Sequence, residues 1–150
     1  MFPCVPAPFY LLRCQSATIR GMDKNTLCTN IAKLRQRVRL GAEKSQHPDR
    51  DILLLAVSKT RPPEDIRAAH ELGLSHFGES YLQEALVKME ALADLPLTWH
   101  FIGPIQSNKT RAIAGHFDWV HSVDRARIAR RLSDQRPDDL PPLQVCLQVN

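Results

Sequence analysis

Apolar positions change their period repeatedly along this chain. Leu27, Ile31, Leu34 and Val38 recur every three or four residues, which predicts an amphipathic helix over roughly 24–45. His47-Pro48-Asp49 breaks that pattern. An unbroken apolar run, Ile52 to Val57, then leads into Ser58-Lys59-Thr60. A run so short and so apolar suits a parallel strand buried on both faces, predicted over 51–59. Pro62 and Pro63, with Glu64 and Asp65, have the make-up of a helical first turn. That helix is expected to run to Leu72 and stop at Gly73.

The alternation continues to the last residue. Ser75 to Gly78 reads as a second strand. Ser80-Tyr81-Leu82-Gln83 has the spacing of a capping box, ahead of a helix with Leu82, Ala85, Leu86 and Met89 on one face. Leu97 to Ile102 reads as a third strand, closed by Gly103-Pro104, and Ser107 opens a helix carrying Ile113 and Ala114. Phe117 to Val123 reads as a fourth strand, and Asp124 is placed to cap a helix holding Ile128 and Leu132. Pro137, Pro141 and Pro142 end that helix, and a fifth strand is expected over 143–150. Repeated strand–helix alternation means an α/β fold, a parallel sheet with right-handed crossovers. A five-stranded doubly wound sheet would be complete at this length, whereas a (β/α)8 barrel would need about 100 more residues. Periodicity leaves both open.

Composition narrows the function classes. The chain is 43% apolar and 24% charged with a net charge of +4, ordinary for a soluble protein. No apolar run approaches the roughly 20 residues of a membrane span. The basic residues are scattered, which argues against a nucleic-acid surface. The densest group, Arg125, Arg127, Arg130, Arg131 and Arg136, reads as a solvated helix face. Cys4, Cys14, Cys28 and Cys146 form no CxxC pair or zinc-finger spacing with histidine, so no metal site is expected. Free thiols in a reducing cytoplasm are the simplest reading. Residues 1–21 hold prolines and arginines but no acid. They read as an extension ahead of a natural start at Met22, with an organelle transit peptide as the alternative.

Candidate chemistry gathers at strand ends. Lys59 follows the first strand, where α/β sheets place their ligands. Partial burial there would lower the amine's pKa and free its lone pair for Schiff-base chemistry. A solvated lysine is the plain alternative. His100 reads as a hydrogen-bonded core histidine or a pocket wall, and Ser80 as a helix cap or a ligand contact. Glu79 could pair with a base or be solvated. Arg61 could lend positive potential to the mouth, and the amides at Ser107-Asn108-Lys109 could hold an anion.

Four segments taken together carry a resemblance. They are Leu54-Leu55-Ala56-Val57-Ser58-Lys59-Thr60, Phe77-Gly78-Glu79-Ser80-Tyr81-Leu82-Gln83-Glu84, Trp99-His100-Phe101-Ile102-Gly103-Pro104-Ile105-Gln106-Ser107-Asn108-Lys109 and His121-Ser122-Val123-Asp124. In order and spacing, residues 22–150 resemble the pyridoxal phosphate homeostasis (YggS/PROSC) family. The resemblance implies the amino-terminal part of a (β/α)8 barrel of the alanine racemase type. It also implies pyridoxal 5′-phosphate held as an imine on Lys59; Ser80 and His100 stand beside it as candidate further contacts from their own positions in the sequence. The implied role is a cytoplasmic carrier and regulator of the cofactor rather than an enzyme, with no catalytic residue. The implied partners are the cofactor and apoenzymes that depend on it, and the full-length protein is expected to be monomeric.

The chemistry agrees with storage. One lysine can hold an aldehyde reversibly, whereas racemisation needs an acid or base on each face of the substrate carbon, and the sequence offers no second group. Two departures stand out. Ser80 replaces the asparagine usual in the family's Gly-Glu-Asn-Tyr motif. The chain also stops at Asn150, before the strands on which the family carries its phosphate loops and pyridine-nitrogen partner. A racemase or lyase acting on amino acids, and a non-functional fragment without the phosphate site, are the alternatives.

Overall fold

The computed structural model describes residues 23–45 and 52–149. The extension 1–21, Met22, the His47-Pro48-Asp49 break and Asn150 lie outside the described residues.

Helix α1 spans Lys24–Glu43, with the Asp23 side chain accepting from the Thr26 amide at its start. Its polar side ties it to the later chain: Lys24 pairs with Glu71 at 2.5 Å and Arg35 donates to the Gly73 carbonyl at 3.0 Å. Strand β1 is only Ala56–Val57, much shorter than the apolar run predicts. Helix α2 covers Pro63–Glu71, with proline in its first turn and Glu64 and Asp65 at its positive end. It stops as expected: Gly73 takes φ 82° and its amide donates to the His70 carbonyl.

The remaining elements are β2 (His76–Glu79), α3 (Leu82–Ala91), β3 (Thr98–Phe101), a 3-10 turn at Ser107–Lys109 leading into α4 (Thr110–His116), β4 (Trp119–Val123), α5 (Ala126–Gln135) and β5 (Gln144–Leu147). Two predicted caps fail. Tyr81, not Ser80, is the N-cap residue of α3, and Arg125, not Asp124, is that of α5; neither side chain caps. In both places the chain stays extended one residue longer than the hydroxyl or carboxyl spacing implies. Asp124 pairs instead with Arg125 at 3.2 Å. The arginine group is also less solvated than expected. Arg136 donates to the carbonyls of Ala114, Phe117 and Pro141, and Arg131 to Thr110, so these two tie α5 to α4 and the loops.

All five strands are parallel and lie in the order β1-β2-β3-β4-β5. A doubly wound sheet reverses its strand order at a switch point. Strictly sequential neighbours are the arrangement of a barrel wall, which decides between the two architectures that periodicity leaves open. Strand alternation divides the sheet into two faces. Phe77, Trp99, Phe101 and Val120 share the face packed against Ile66, Ala85, Ile113, Ile128 and Leu132 of the helices. The other face carries the register row Val57, Gly78, His100, Trp119 and Gln144. In a closed barrel that second face lines the interior.

Candidate functional site at the carboxyl ends of the first strands

Lys59 lies in a turn two residues beyond β1. The Arg61 amide closes the turn on the Ser58 carbonyl at 3.0 Å, and Thr60 sits at φ 64°. A β-branched residue at positive φ is an outlier, costing about 1–3 kcal/mol where glycine would cost nothing. Lys59 itself is exposed. The partial burial expected of it is absent, because the strand ends early and the turn lifts the residue clear of the core. Arg61 pairs with Asp65 across one helical turn at 3.9 Å.

The buried lysine of this region is another one. Lys88, on α3, has a side chain only 4% exposed and reaches under the turn. Its ammonium donates to the Ser58 carbonyl at 2.8 Å, to Glu79 Oε1 at 2.7 Å and to Glu84 Oε1 at 2.6 Å. Ser58 Oγ donates to the same Glu79 oxygen at 2.7 Å, and the Thr60 amide donates to Glu84 Oε1 at 2.5 Å. Glu79 is fully buried, and its Oε2 has no hydrogen-bond partner. Burial raises the Glu79 carboxyl above the usual carboxylate range, against the lowering effect of Lys88 and Ser58.

A second polar group occupies the opposite face. His76 Nδ1 lies 2.9 Å from His100 Nε2, and His100 Nδ1 lies 2.9 Å from His121 Nε2. Trp119 stacks on His100 at 5.6 Å between centroids and 9° between planes. Each contact needs one N–H and one bare nitrogen, so the neutral rings share one orientation along the row. Burial pushes His100 down to about 3, and the neighbouring His121 and His76 push in the same direction. His100 is therefore a buried, hydrogen-bonded core residue.

Ser80 is half-buried in the bend between β2 and α3. A Cβ on Gly103 would come within 2.4 Å of the Ser80 carbonyl oxygen, so the loops after β2 and β3 meet only because residue 103 is glycine. Ser122 Oγ donates to the Gly103 carbonyl, joining the end of β4 to the same ridge. The register pairs Val57 with Gly78, Gly78 with His100 and His100 with Trp119, and Lys59 and Ser80 each follow two residues later, Lys59 in the turn after β1 and Ser80 in the bend after β2. Of the three predicted contacts, Lys59 and Ser80 thus lie just beyond the ends of neighbouring strands, and His100 lies within β3 on the opposite face from the helices. Lys88 was missed, since a lysine within a helix reads as solvent-facing. Its spacing of three from Ala85 and four from Glu84 was the available signal.

A primary amine fits an aldehyde cofactor here. Lys59 Nζ makes no hydrogen bond or ion pair among the described residues, and it stands at the end of the sheet where ligands bind. The Glu79 and Lys88 charges beside it are already matched to one another.

The family described as "Alanine racemase, N-terminal domain" matches residues 23–150. Among curated proteins, the pyridoxal phosphate homeostasis protein of Pseudomonas aeruginosa is 63% identical over 126 residues, covering 84% of this chain and 55% of that protein. The protein of the same name from Escherichia coli is 47% identical over 129 residues, with the same two shares of 84% and 55%. The chain thus spans about half the length of the curated relatives it matches. Among solved structures, PipY of Synechococcus elongatus with PLP bound superposes with a TM-score of 0.62 at 41% identity, covering 73% of this chain and 47% of that one.

Proposed function

The chain belongs to the family of the alanine racemase N-terminal domain, and on that premise we propose that residues 22–150 are the amino-terminal part of a pyridoxal 5′-phosphate carrier. The cofactor is held covalently on Lys59 in the cytoplasm for delivery to dependent apoenzymes. The supporting observation is the placement of Lys59, an exposed amine without an ion-pair partner among the described residues, on a strained turn at the carboxyl end of β1. When bound, the cofactor supplies an aldehyde that reacts reversibly with amines. Lys59 would hold that group through its Nζ, whose lone pair, free once the amine is deprotonated, is what the aldehyde would require. Ser80, just after β2, and His100, on the face of β3 turned away from the helices, would be the cofactor's further contacts. His100 is neutral across the physiological range and spent in two hydrogen bonds. That favours a carrier over a racemase or lyase, which would need a poised acid or base on each face of the substrate carbon.

Titration of the chain with pyridoxal 5′-phosphate, borohydride trapping and peptide mass spectrometry tests the reading. A stoichiometric adduct on Lys59 that disappears in Lys59→Ala is the expected result. Labelling scattered over many lysines overturns it.

A further inference from the structure

The two residues flanking Lys59 are both held from below by one helix. The Ser58 carbonyl accepts from Lys88, and the Thr60 amide donates to Glu84, four residues earlier on α3. Lys88 spends its three N–H donors on Ser58, Glu79 and Glu84. Ser58 is fixed a second time through its own hydroxyl to Glu79 on β2. The bonds therefore converge on one short peptide from a strand and a helix, and none of them touches the Lys59 side chain.

A solvated lysine at a strand end needs no such support. The core gains little from this arrangement either. It buries an ion pair and leaves Glu79 Oε2 without a partner, in a place where apolar side chains would pack as well. Thr60 adds to the cost by standing at φ 64°, a conformation that is retained only when its surroundings impose it. Two contacts impose it, the Arg61 amide on the Ser58 carbonyl within the turn and, from outside it, the Glu84 carboxylate on the Thr60 amide.

We infer that Lys88, Glu79 and Glu84 are positioning residues for Lys59: they clamp the peptides on either side of it and so fix where its amine stands. The inference rests on the proposed use of Lys59, but the clamp can be tested without any cofactor. Glu84 is the residue to change, since its side chain is 31% exposed and the core does not depend on it.

Hydrogen–deuterium exchange on the cofactor-free chain, read on peptides covering 58–62, compares wild type with Glu84→Ala, Glu84→Gln and Glu84→Ala with Thr60→Gly. Glutamine keeps an oxygen for the Thr60 amide, and glycine accepts positive φ without help. The Thr60 amide is expected to exchange at least tenfold faster in Glu84→Ala and within about twofold of wild type in Glu84→Gln. Trapping with pyridoxal 5′-phosphate and borohydride then reads the share of label on Lys59. That share is expected to fall at least fivefold in Glu84→Ala, to persist in Glu84→Gln, and to return when Thr60→Gly is added. A purely structural Glu84 would not be rescued by glycine at residue 60.

Unchanged Thr60 exchange in Glu84→Ala overturns the clamp. Faster exchange with undiminished Lys59 labelling overturns its positioning role. Scattered labelling of wild type, with the exchange contrast intact, upholds the clamp and overturns the carrier reading instead.

Discussion

His100 shows how a single buried side chain can couple stability to pH. Both of its nitrogens are engaged by other imidazoles, Trp119 covers its ring, and burial holds it down to about 3. The unfolded chain takes up a proton near pH 6.5, and the folded chain does not. Stability from this residue is therefore complete above about pH 6.5 and is lost as pH falls toward 3. The slope approaches 1.4 kcal/mol per pH unit, so about 2 kcal/mol disappears between pH 7 and pH 5. Urea unfolding at pH 7, 6 and 5 reads this directly. His100→Gln should flatten the dependence by about that amount, and a wild-type midpoint that does not move over the range contradicts the assignment. The row was not legible in the sequence, because His76 and His121 meet His100 only across strands. Once register pairs Gly78 with His100 and His100 with Trp119, strand alternation puts all three rings on one face.

Helix α3 performs two tasks that compete for the same face. Leu82 and Ala85 seal it against the sheet, and Lys88 continues that stripe with a charge. Removing one member of a buried pair leaves the other uncompensated, at a cost of about 3–5 kcal/mol. Lys88→Met is expected to destabilise by that order, because Glu79 keeps its buried carboxyl and loses its strongest partner. Adding Glu79→Gln should recover part of the loss. Denaturant midpoints of the two single variants and the double close a cycle. Strict additivity would mean that the pair is not coupled. The apolar periods located every helix and strand at this scale, since each element buries one face. Ends were harder to read. Six apolar residues from Ile52 predict a long strand, yet only Ala56–Val57 pair with β2, because backbone pairing depends on the neighbour and not on apolarity. The caps at Ser80 and Asp124 failed for the related reason that a good capping residue also serves in a loop.

At the scale of the molecule, the sheet is an arc of five strands with edges at β1 and β5 among the described residues. The resemblance to a barrel family was legible from strand-end motifs alone, and sequential strand order carries it. The two edges differ. Register pairs Val145 with Val120 and, past an irregularity in β4, Leu147 with Val123, so both β5 residues lie beside core residues of β4. Val145 is 49% exposed and Leu147 75% exposed, whereas Val120 and Val123 are buried. An apolar edge strand with unpaired amides and carbonyls on its outer side is a template for another chain. The 150-residue chain should therefore self-associate through β5 as concentration rises, with sedimentation coefficients that climb in velocity experiments. Leu147→Lys places a charge on the exposed edge, the device by which natural edge strands stay apart. It should return the chain toward monomer without lowering the denaturant midpoint, since Leu147 packs little in the folded chain. A wild-type chain that stays monomeric throughout would overturn this reading of the β5 edge.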